Sequence, residues 1–439
     1  MSSRQLKEKL DALQCHFTWQ LGLTGQLEPT HVLQKLAVEI QHTPHPNQAV
    51  LLGLQAYLLQ LKGQKREALQ SLQDAEEHTR QDEQQASAAA ATLIIYGNYA
   101  WVHYLEASYQ EAESYLERIQ QLCPTPWDAQ LIPYIQAQKG WSLLAVRARN
   151  GERARECFEV ALMLEPGNRY FHAGLGMALY SSWIYFQDPD IARKAIIQLE
   201  RTALEQPNNY RAKIYLARLL EKVDIERSTG LIEESAENST NPYVLKASAL
   251  FWLRHNTERA MEILQRALQQ DPGYHLLYQA LARCYRLQWL NAEEGDNNNI
   301  LEEAIRHLQK ILQNHPDLDL VYVKLQLAEF CGARDPEEEE NIYKELQERI
   351  DTLSPKCRQA LSLYWGKFFL YKRRSLDEAK AKFMDGYRIP ALTKERKECA
   401  QRLRKMARHC GGDYADAIYR FIEETDYHLP MEFPGTDLD

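Results

Sequence analysis

The sequence predicts an all-α chain of stacked helical hairpins, and three observations carry that prediction. The first is a helix half written five times: Ala112/Leu116/Ile119/Pro124, Ala154/Phe158/Ala161/Pro166, Ala195/Leu199/Thr202/Pro207, Ala260/Leu264/Ala267/Pro272 and Ala304/Leu308/Ile311/Pro316. Residues four and then three apart share one helix face, the small ones let a second helix lie close, and the proline stops the helix. The second is the separation of those prolines, 42, 41, 65 and 44 residues, which leaves room for a leading helix and a turn. The third is composition: 45% hydrophobic residues fill an interior, while 19 glycines and 17 prolines among 439 residues are too few for long linkers. This pattern is that of the tetratricopeptide repeat, and it predicts a right-handed superhelical solenoid whose hairpins bury their apolar faces only against one another.

Taken in order, residues 4–20 read as an amphipathic capping helix. An N-terminal array over 21–237 follows, with about five hairpins. Its first hairpin is marked by Ala56, Gly63, Ala68, Leu72 and Ala75, and its second runs from Tyr96 to Pro124. A polar bridge at 78–88 separates these two and is expected to extend a helix. Hairpins near 140–166 and 170–207 come next, the latter with a long inter-helix turn from Tyr185 to Pro189. Residues 209–237 read as a degenerate repeat inside the 65-residue gap. A C-terminal array over 241–426 holds about four hairpins. One of them is split by an acidic, asparagine-rich insertion from Asn291 to Asn299. Glu337 to Glu340 open a helix, where acids suit the macrodipole, and read as a solvated face. Residues 427–439 read as a flexible acidic tail.

Several function classes lack support in the sequence. Net charge is −9, so no global basic footprint for nucleic acid exists, and any such contact needs a local basic groove. The start is polar, and no run of eighteen apolar residues occurs, so neither a signal peptide nor a membrane span is expected. Eight cysteines without paired spacing fit a reducing compartment, with Cys157 and Cys284 as inert core residues. No phosphate loop, HExxH, CxxC or GxSxG is present. His42 and His45 lie in a proline-flanked loop, and Cys399, His409 and Cys410 lack a fourth ligand at ordinary spacing. The chain is expected to be no enzyme and to carry no cofactor or metal.

Specific strings add to the repeat. They are Cys15-His16-Phe17-Thr18-Trp19, Leu61-Lys62-Gly63-Gln64, Tyr96-Gly97-Asn98-Tyr99-Ala100-Trp101-Val102, Lys139-Gly140-Trp141, Pro242-Tyr243-Val244-Leu245 and Cys284-Tyr285-Arg286. Together they resemble the interferon-induced proteins with tetratricopeptide repeats, from about residue 6 to about 410, as a divergent or C-terminally shortened member. The resemblance implies a cytoplasmic, interferon-induced antiviral effector of innate immunity. It would bind single-stranded RNA, including viral 5′ ends, in the groove of the superhelix and interfere with translation or replication. Its other implied partners are proteins of the antiviral response, family members among them, with no membrane and no DNA. The alternative is a non-catalytic scaffold for such proteins without 5′-end recognition.

Carried over residue by residue, the resemblance points to Trp141 as the aromatic near the terminal base or cap. The phosphate-contacting lysine of the family falls on Ala145, its tyrosine on Gly151, and its next arginine on Ser181 beside Tyr180. Asn209, Lys213, Tyr243 and Gln279 match; Lys246 replaces an arginine, Arg254 keeps one of two arginines, and Tyr278 replaces a histidine. Arg147 and Arg149 are candidates to restore the charge lost at Ala145. A triphosphate needs several inward cations and planar groups to stack the first bases, so the losses at Ala145 and Ser181 weigh against recognition of that end.

Overall fold

The computed structural model describes residues 3–22, 29–42, 48–81, 85–146, 148–292, 297–391 and 393–427. Among them every regular element is helical. The architecture is the all-α tetratricopeptide-repeat solenoid. The chain divides into two compact units between Ser235 and Ala236.

The first unit opens with α1 (Ser3–Asp11) and α2 (Pro29–His42). Hairpins follow from α3 (Gln48–Leu61) with α4 (Lys65–Gln81), α5 (Gln85–Leu105) with α6 (Tyr109–Leu122), α7 (Pro133–Val146) with α8 (Gly151–Leu164), and α9 (Arg169–Phe186) with α10 (Pro189–Glu205). α11 (Tyr210–Leu220) and α12 (Ile225–Asn238) complete the set, the unit boundary falling inside α12. The second unit stacks α13 (Pro242–Trp252) with α14 (Thr257–Gln270), α15 (His275–Asn291) with α16 (Asn297–Asn314), α17 (Val321–Arg334) with α18 (Pro336–Glu348), α19 (Pro355–Phe368) with α20 (Leu376–Arg388), and α21 (Lys394–Cys410) with α22 (Gly412–Tyr427).

The recurring small residues do what their spacing predicts. Ala112, Ala154, Ala161, Ala195, Ala260, Ala267 and Ala304 are fully buried on the second helix of their hairpins. Each of these helices ends two residues before its proline. The closest packing is around Phe158. A Cβ on Gly140 of α7 would lie 2.8 Å from its ring, and one on Gly174 of α9 would lie 2.1 Å from it. Two glycines therefore grip one aromatic ring between three helices.

The structure corrects several expectations. The capping helix stops at Asp11, and residues 12–20 form turns. The Thr18 hydroxyl donates to the carbonyls of Leu13 (2.6 Å) and Cys15 (3.0 Å), and Gln20 and Gly22 take positive φ. The bend turns His16 inward, where the Asn98 amide donates to its Nδ1 (2.8 Å) and to the Gly53 carbonyl (3.1 Å). With Nδ1 accepting, the proton sits on Nε2, which faces the Ser142 hydroxyl at 3.2 Å. Burial drives this imidazole down to about 3, against the Asn98 hydrogen bond that raises it.

The turn expected over 185–189 is only Gln187 and Asp188. Gln187 sits in the left-handed region, and Asp188 caps α10 with Pro189 at its first position. Asn297–Asn299 belong to the first turn of α16, while the acidic residues 293–296 lie outside the described set, as do 82–84 of the polar bridge and 428–439 of the tail. The described residues of the second unit hold five hairpins rather than about four. α21/α22 lacks the small-residue-and-proline signature and left no mark in the sequence pattern, while α17/α18 was marked only by the acidic start of α18.

The run Glu337 to Glu340 is not wholly solvated. Glu339 is 2% exposed, its carboxylate pairing with Lys372 and accepting from the Tyr343 hydroxyl at 2.7 Å. Glu340 pairs with Arg373 at 2.7 Å. Both cations come from the π-helical turn Phe369–Arg373 that ends α19, so the acids tie two hairpins together. Cys157 and Cys284 are buried, and burial pushes both thiols up, Cys284 to about 12.

Candidate functional site

In the first unit the candidate positions lie on or beside α7, α9 and α11, the leading helices of successive hairpins, each packed on the next. Trp141 is half-buried on α7. Its ring meets Phe158 edge-on at 5.2 Å and lies 5.4 Å from Tyr170, while its Nε1 is buried without a hydrogen-bond partner. Ala145, one turn further, adds no charge. Arg147 lies outside the described residues, and Arg149 sits in the 3-10 turn Ala148–Asn150 with its guanidinium 5.9 Å from the Tyr185 ring.

Gly151 has a steric reason. A Cβ there would lie 2.6 Å from the backbone nitrogen of Ser182 and 3.0 Å from the Ala178 carbonyl. The start of α8 thus rests directly on the backbone of α9, and no tyrosine fits without moving one of them.

Sequence reasoning missed a tyrosine–arginine ladder in this unit. On α11, Arg211, Tyr215 and Arg218 follow at spacings of four and three, one face of a helix. Tyr215 stacks on Tyr180 of α9, centroids 4.2 Å apart and planes 8° from parallel. Arg218 donates to the Tyr180 hydroxyl (3.1 Å), and Arg211 donates to the Tyr215 hydroxyl (3.1 Å) and to Glu39 of α2 (3.0 Å). Burial raises the Tyr180 phenol, and Arg218 opposes that rise. The signal was the string Tyr-Arg-x-x-x-Tyr-x-x-Arg, legible as a helix face but not tied to any partner.

Two residues matched by resemblance have structural work. Asn209 caps α11, its Oδ1 accepting from the Ala212 backbone at 3.2 Å. Lys213 is 5% exposed; its ammonium pairs with Glu234 at 2.6 Å and lies 5.4 Å from the Tyr210 ring.

In the second unit, Lys246 stands between two tyrosines. Its Nζ donates to the Tyr274 hydroxyl (3.1 Å) and lies 5.7 Å and 5.3 Å from the Tyr243 and Tyr274 rings. Gln279 is half-buried on α15. Its neighbour Tyr278 is held in place, its hydroxyl donating to the Pro272 carbonyl (3.0 Å) and 2.8 Å from His315 Nε2. Arg254 is exposed in the turn that follows α13, 5.9 Å from the Phe251 ring. The structure brings Tyr243 and Lys246 together and leaves Arg254 apart from them.

Among the described residues no group of His, Cys, Asp or Glu is arranged to hold a metal ion, and no helix is long and apolar enough to cross a membrane. Cys399 is buried in the core, while Cys410 is exposed. His42 ends α2, and His45 lies outside the described residues.

The chain is 29% identical over 428 residues to human interferon-induced protein with tetratricopeptide repeats 2, covering 93% of this chain and 88% of that one. It is 27% identical over 425 residues to the human antiviral innate immune response effector IFIT1, covering 92% and 87%. Over more than nine-tenths of its length the chain is thus similar to the interferon-induced proteins with tetratricopeptide repeats. No family model matches it. Within the family, the structure of the human IFIT1 dimer with PPP-AAAA superposes with a TM-score of 0.63 at 24% identity over 97% of this chain and 98% of that one. The IFIT1 dimer with m7Gppp-AAAA gives 0.66 at 23% identity over 96% and 100%. At these identities the likeness speaks for the fold.

Proposed function

We propose that this chain is a non-catalytic, interferon-induced antiviral effector of the cytoplasm that binds single-stranded RNA along the leading helices of its repeats. The supporting observation is the ladder Arg211–Tyr215–Arg218, where tyrosine hydroxyls fix two guanidinium groups on one face of α11. A fixed guanidinium loses little freedom on meeting a phosphate and offers paired donors to it. Half-buried Trp141, with an unpartnered indole N–H, is the planar group beside which a base would sit. Human IFIT1 in complex with PPP-AAAA and with m7Gppp-AAAA supports RNA as the ligand class.

The affinity should rest on backbone and base contacts rather than on a triphosphate anchor. Ala145 and Ser181 cannot neutralise phosphate, and the close approach at Gly151 excludes the larger side chain that the resemblance implies there. In this reading Trp141, Arg149, Asn209 and Lys213 in the first unit, and Tyr243, Lys246, Arg254 and Gln279 in the second, are contacts of unequal weight. Asn209 and Lys213 act mainly by holding α11. The test is Arg211→Gln with Arg218→Gln. Affinity for a short single strand should fall about tenfold or more, and the slope of log affinity against log salt should flatten by about 1.4 for two lost cations. Unchanged affinity and slope would contradict the assignment.

A second reading, a scaffold for proteins of the antiviral response including family members, is favoured by the ion pairs Arg211–Glu39 and Lys213–Glu234. They already neutralise two of the cations. It predicts partners that survive nuclease treatment of the captured complex.

A further inference from the structure

The last hairpin carries its charge unevenly. α21 holds Lys394, Arg396, Lys397, Arg402, Arg404, Lys405 and Arg408 against only Glu395 and Glu398. At 3.6 residues per turn, Lys394, Lys397, Gln401, Arg404, Lys405 and Arg408 fall within one arc of about 100°. All six are exposed. The opposite arc, with Cys399, Leu403 and Met406, is buried in the core that α20 and α22 complete.

The carboxylates of the helix do not neutralise this stripe. Glu398 lies on its flank and is taken by Lys367 of α19 (2.7 Å) and by Arg402 (3.2 Å). Arg396 points inward, its Nε donating to the Tyr387 carbonyl (3.0 Å). Among the described residues, Lys394, Lys397, Arg404 and Lys405 enter no ion pair. Like charges three and four residues apart repel, so the stripe weakens its own helix unless an anion lies on it.

The geometry says what kind of anion. At 1.5 Å per residue Lys394 and Lys397 are about 4.5 Å apart along the helix, Lys397 and Arg404 about 10.5 Å, and Lys405 and Arg408 about 4.5 Å, an extended row rather than a cluster for one phosphate. The row carries no apolar side chain, which a membrane-seated helix needs. On the flank, Tyr371 is 57% exposed at the end of α19, its hydroxyl bound by the Arg402 guanidinium. An exposed ring beside a cationic row matches a strand whose phosphates track the cations while a base stacks.

We propose that the stripe Lys394–Lys397–Gln401–Arg404/Lys405–Arg408 is a second binding surface, for the phosphate backbone of single-stranded RNA, read without regard to its 5′ end. It is separate from the α11 ladder and does not depend on it.

The test uses the full chain and a fluorescent 5′-hydroxyl oligouridylate. Lys397→Gln, Arg404→Gln and Lys405→Gln are combined, first in the natural chain and then with Arg211→Gln and Arg218→Gln. In both backgrounds the three changes should lower affinity at least tenfold and flatten the salt slope by about 2, which is 0.7 for each of three cations. The double change Lys397→Arg and Lys405→Arg should keep affinity. If the α11 ladder binds nothing, the loss from the stripe is still read in the natural chain, so the two ideas fail separately. Unchanged affinity and slope would overturn the proposal. So would stripe-dependent binding to phosphatidylserine vesicles with RNA binding untouched.

Discussion

Gly174→Ala is the most informative single perturbation of the packing under the candidate site. The added methyl would lie 2.1 Å from Phe158 Cε1 and 2.4 Å from Cζ. Ordinary carbon contact is about 3.5 Å, so the ring must retreat by about 1.4 Å. Retreat is blocked by Gly140 of α7, which already approaches the other edge of the ring. Overpacking of this kind costs about 1–3 kcal/mol, and this contact sits at the upper end. Alanine returns about 1 kcal/mol of helix propensity. A net loss of about 2 kcal/mol should lower Tm by about 4–8 °C for a unit of this size. Because Trp141 packs edge-on against Phe158 at 5.2 Å, the same change should disturb the indole, seen as a shift in its fluorescence. Phe158→Leu makes room, so in the double-mutant cycle Gly174→Ala should cost at least 1 kcal/mol less in that background. A Gly174→Ala protein that melts at or above the natural temperature, or a cycle with no coupling, would refute the reasoning.

Three further outcomes follow from named contacts. His16 has its folded pKa depressed from 6.5 to about 3. Its stabilising effect is therefore complete above about pH 6.5 and is lost as pH falls toward 3; at pH 5 about 2 kcal/mol should be missing. Urea titrations at pH 7 and 5 should show that loss in the natural chain and a flatter response in His16→Gln. Lys372→Met strands the buried Glu339 carboxylate and should destabilise the second unit by about 3–5 kcal/mol, while replacing both, Glu339→Gln with Lys372→Met, should recover at least half; calorimetry checks both. Asn209→Ala removes the cap of α11 and should cost about 1 kcal/mol of stability. If Asn209 acts through the cap, Asn209→Asp should restore stability in a melting experiment.

How much was legible in the sequence depends on what each feature needs. The hairpins of the first unit announced themselves because Ala154, Phe158, Ala161 and Pro166 sit on one chain segment at fixed spacing. α22 did not, because its packing relies on Ile418 and Ile422, which carry no repeat signature, and α18, packed through Tyr343 and Leu346, showed only its acidic start. His16 was visible as part of a string, but its inward turn depends on Thr18 and on Asn98, 82 residues away. The same limit hid the ladder on α11. Arg211 and Arg218 are ordinary helix residues until Tyr180 from α9 and Glu39 from α2 are set beside them. Resemblance named Asn209 and Lys213 instead, and the structure gives both a partner within the fold. The loss at Gly151 was read as a missing contact, whereas it marks the place where α8 meets the backbone of α9.

The proposed activity of this chain is single-stranded RNA binding without a triphosphate anchor. The most direct measurement is the affinity of the purified chain for one short RNA bearing a 5′-triphosphate, a cap without ribose methylation, or a 5′-hydroxyl, at about 0.15 M salt, where screening is physiological. Binding to all three with affinities within about fivefold, or 1 kcal/mol, is the predicted result. A preference of about a hundredfold or more for the triphosphate, about 3 kcal/mol of end recognition, would contradict it and would mean that other cations replace those absent at Ala145 and Ser181.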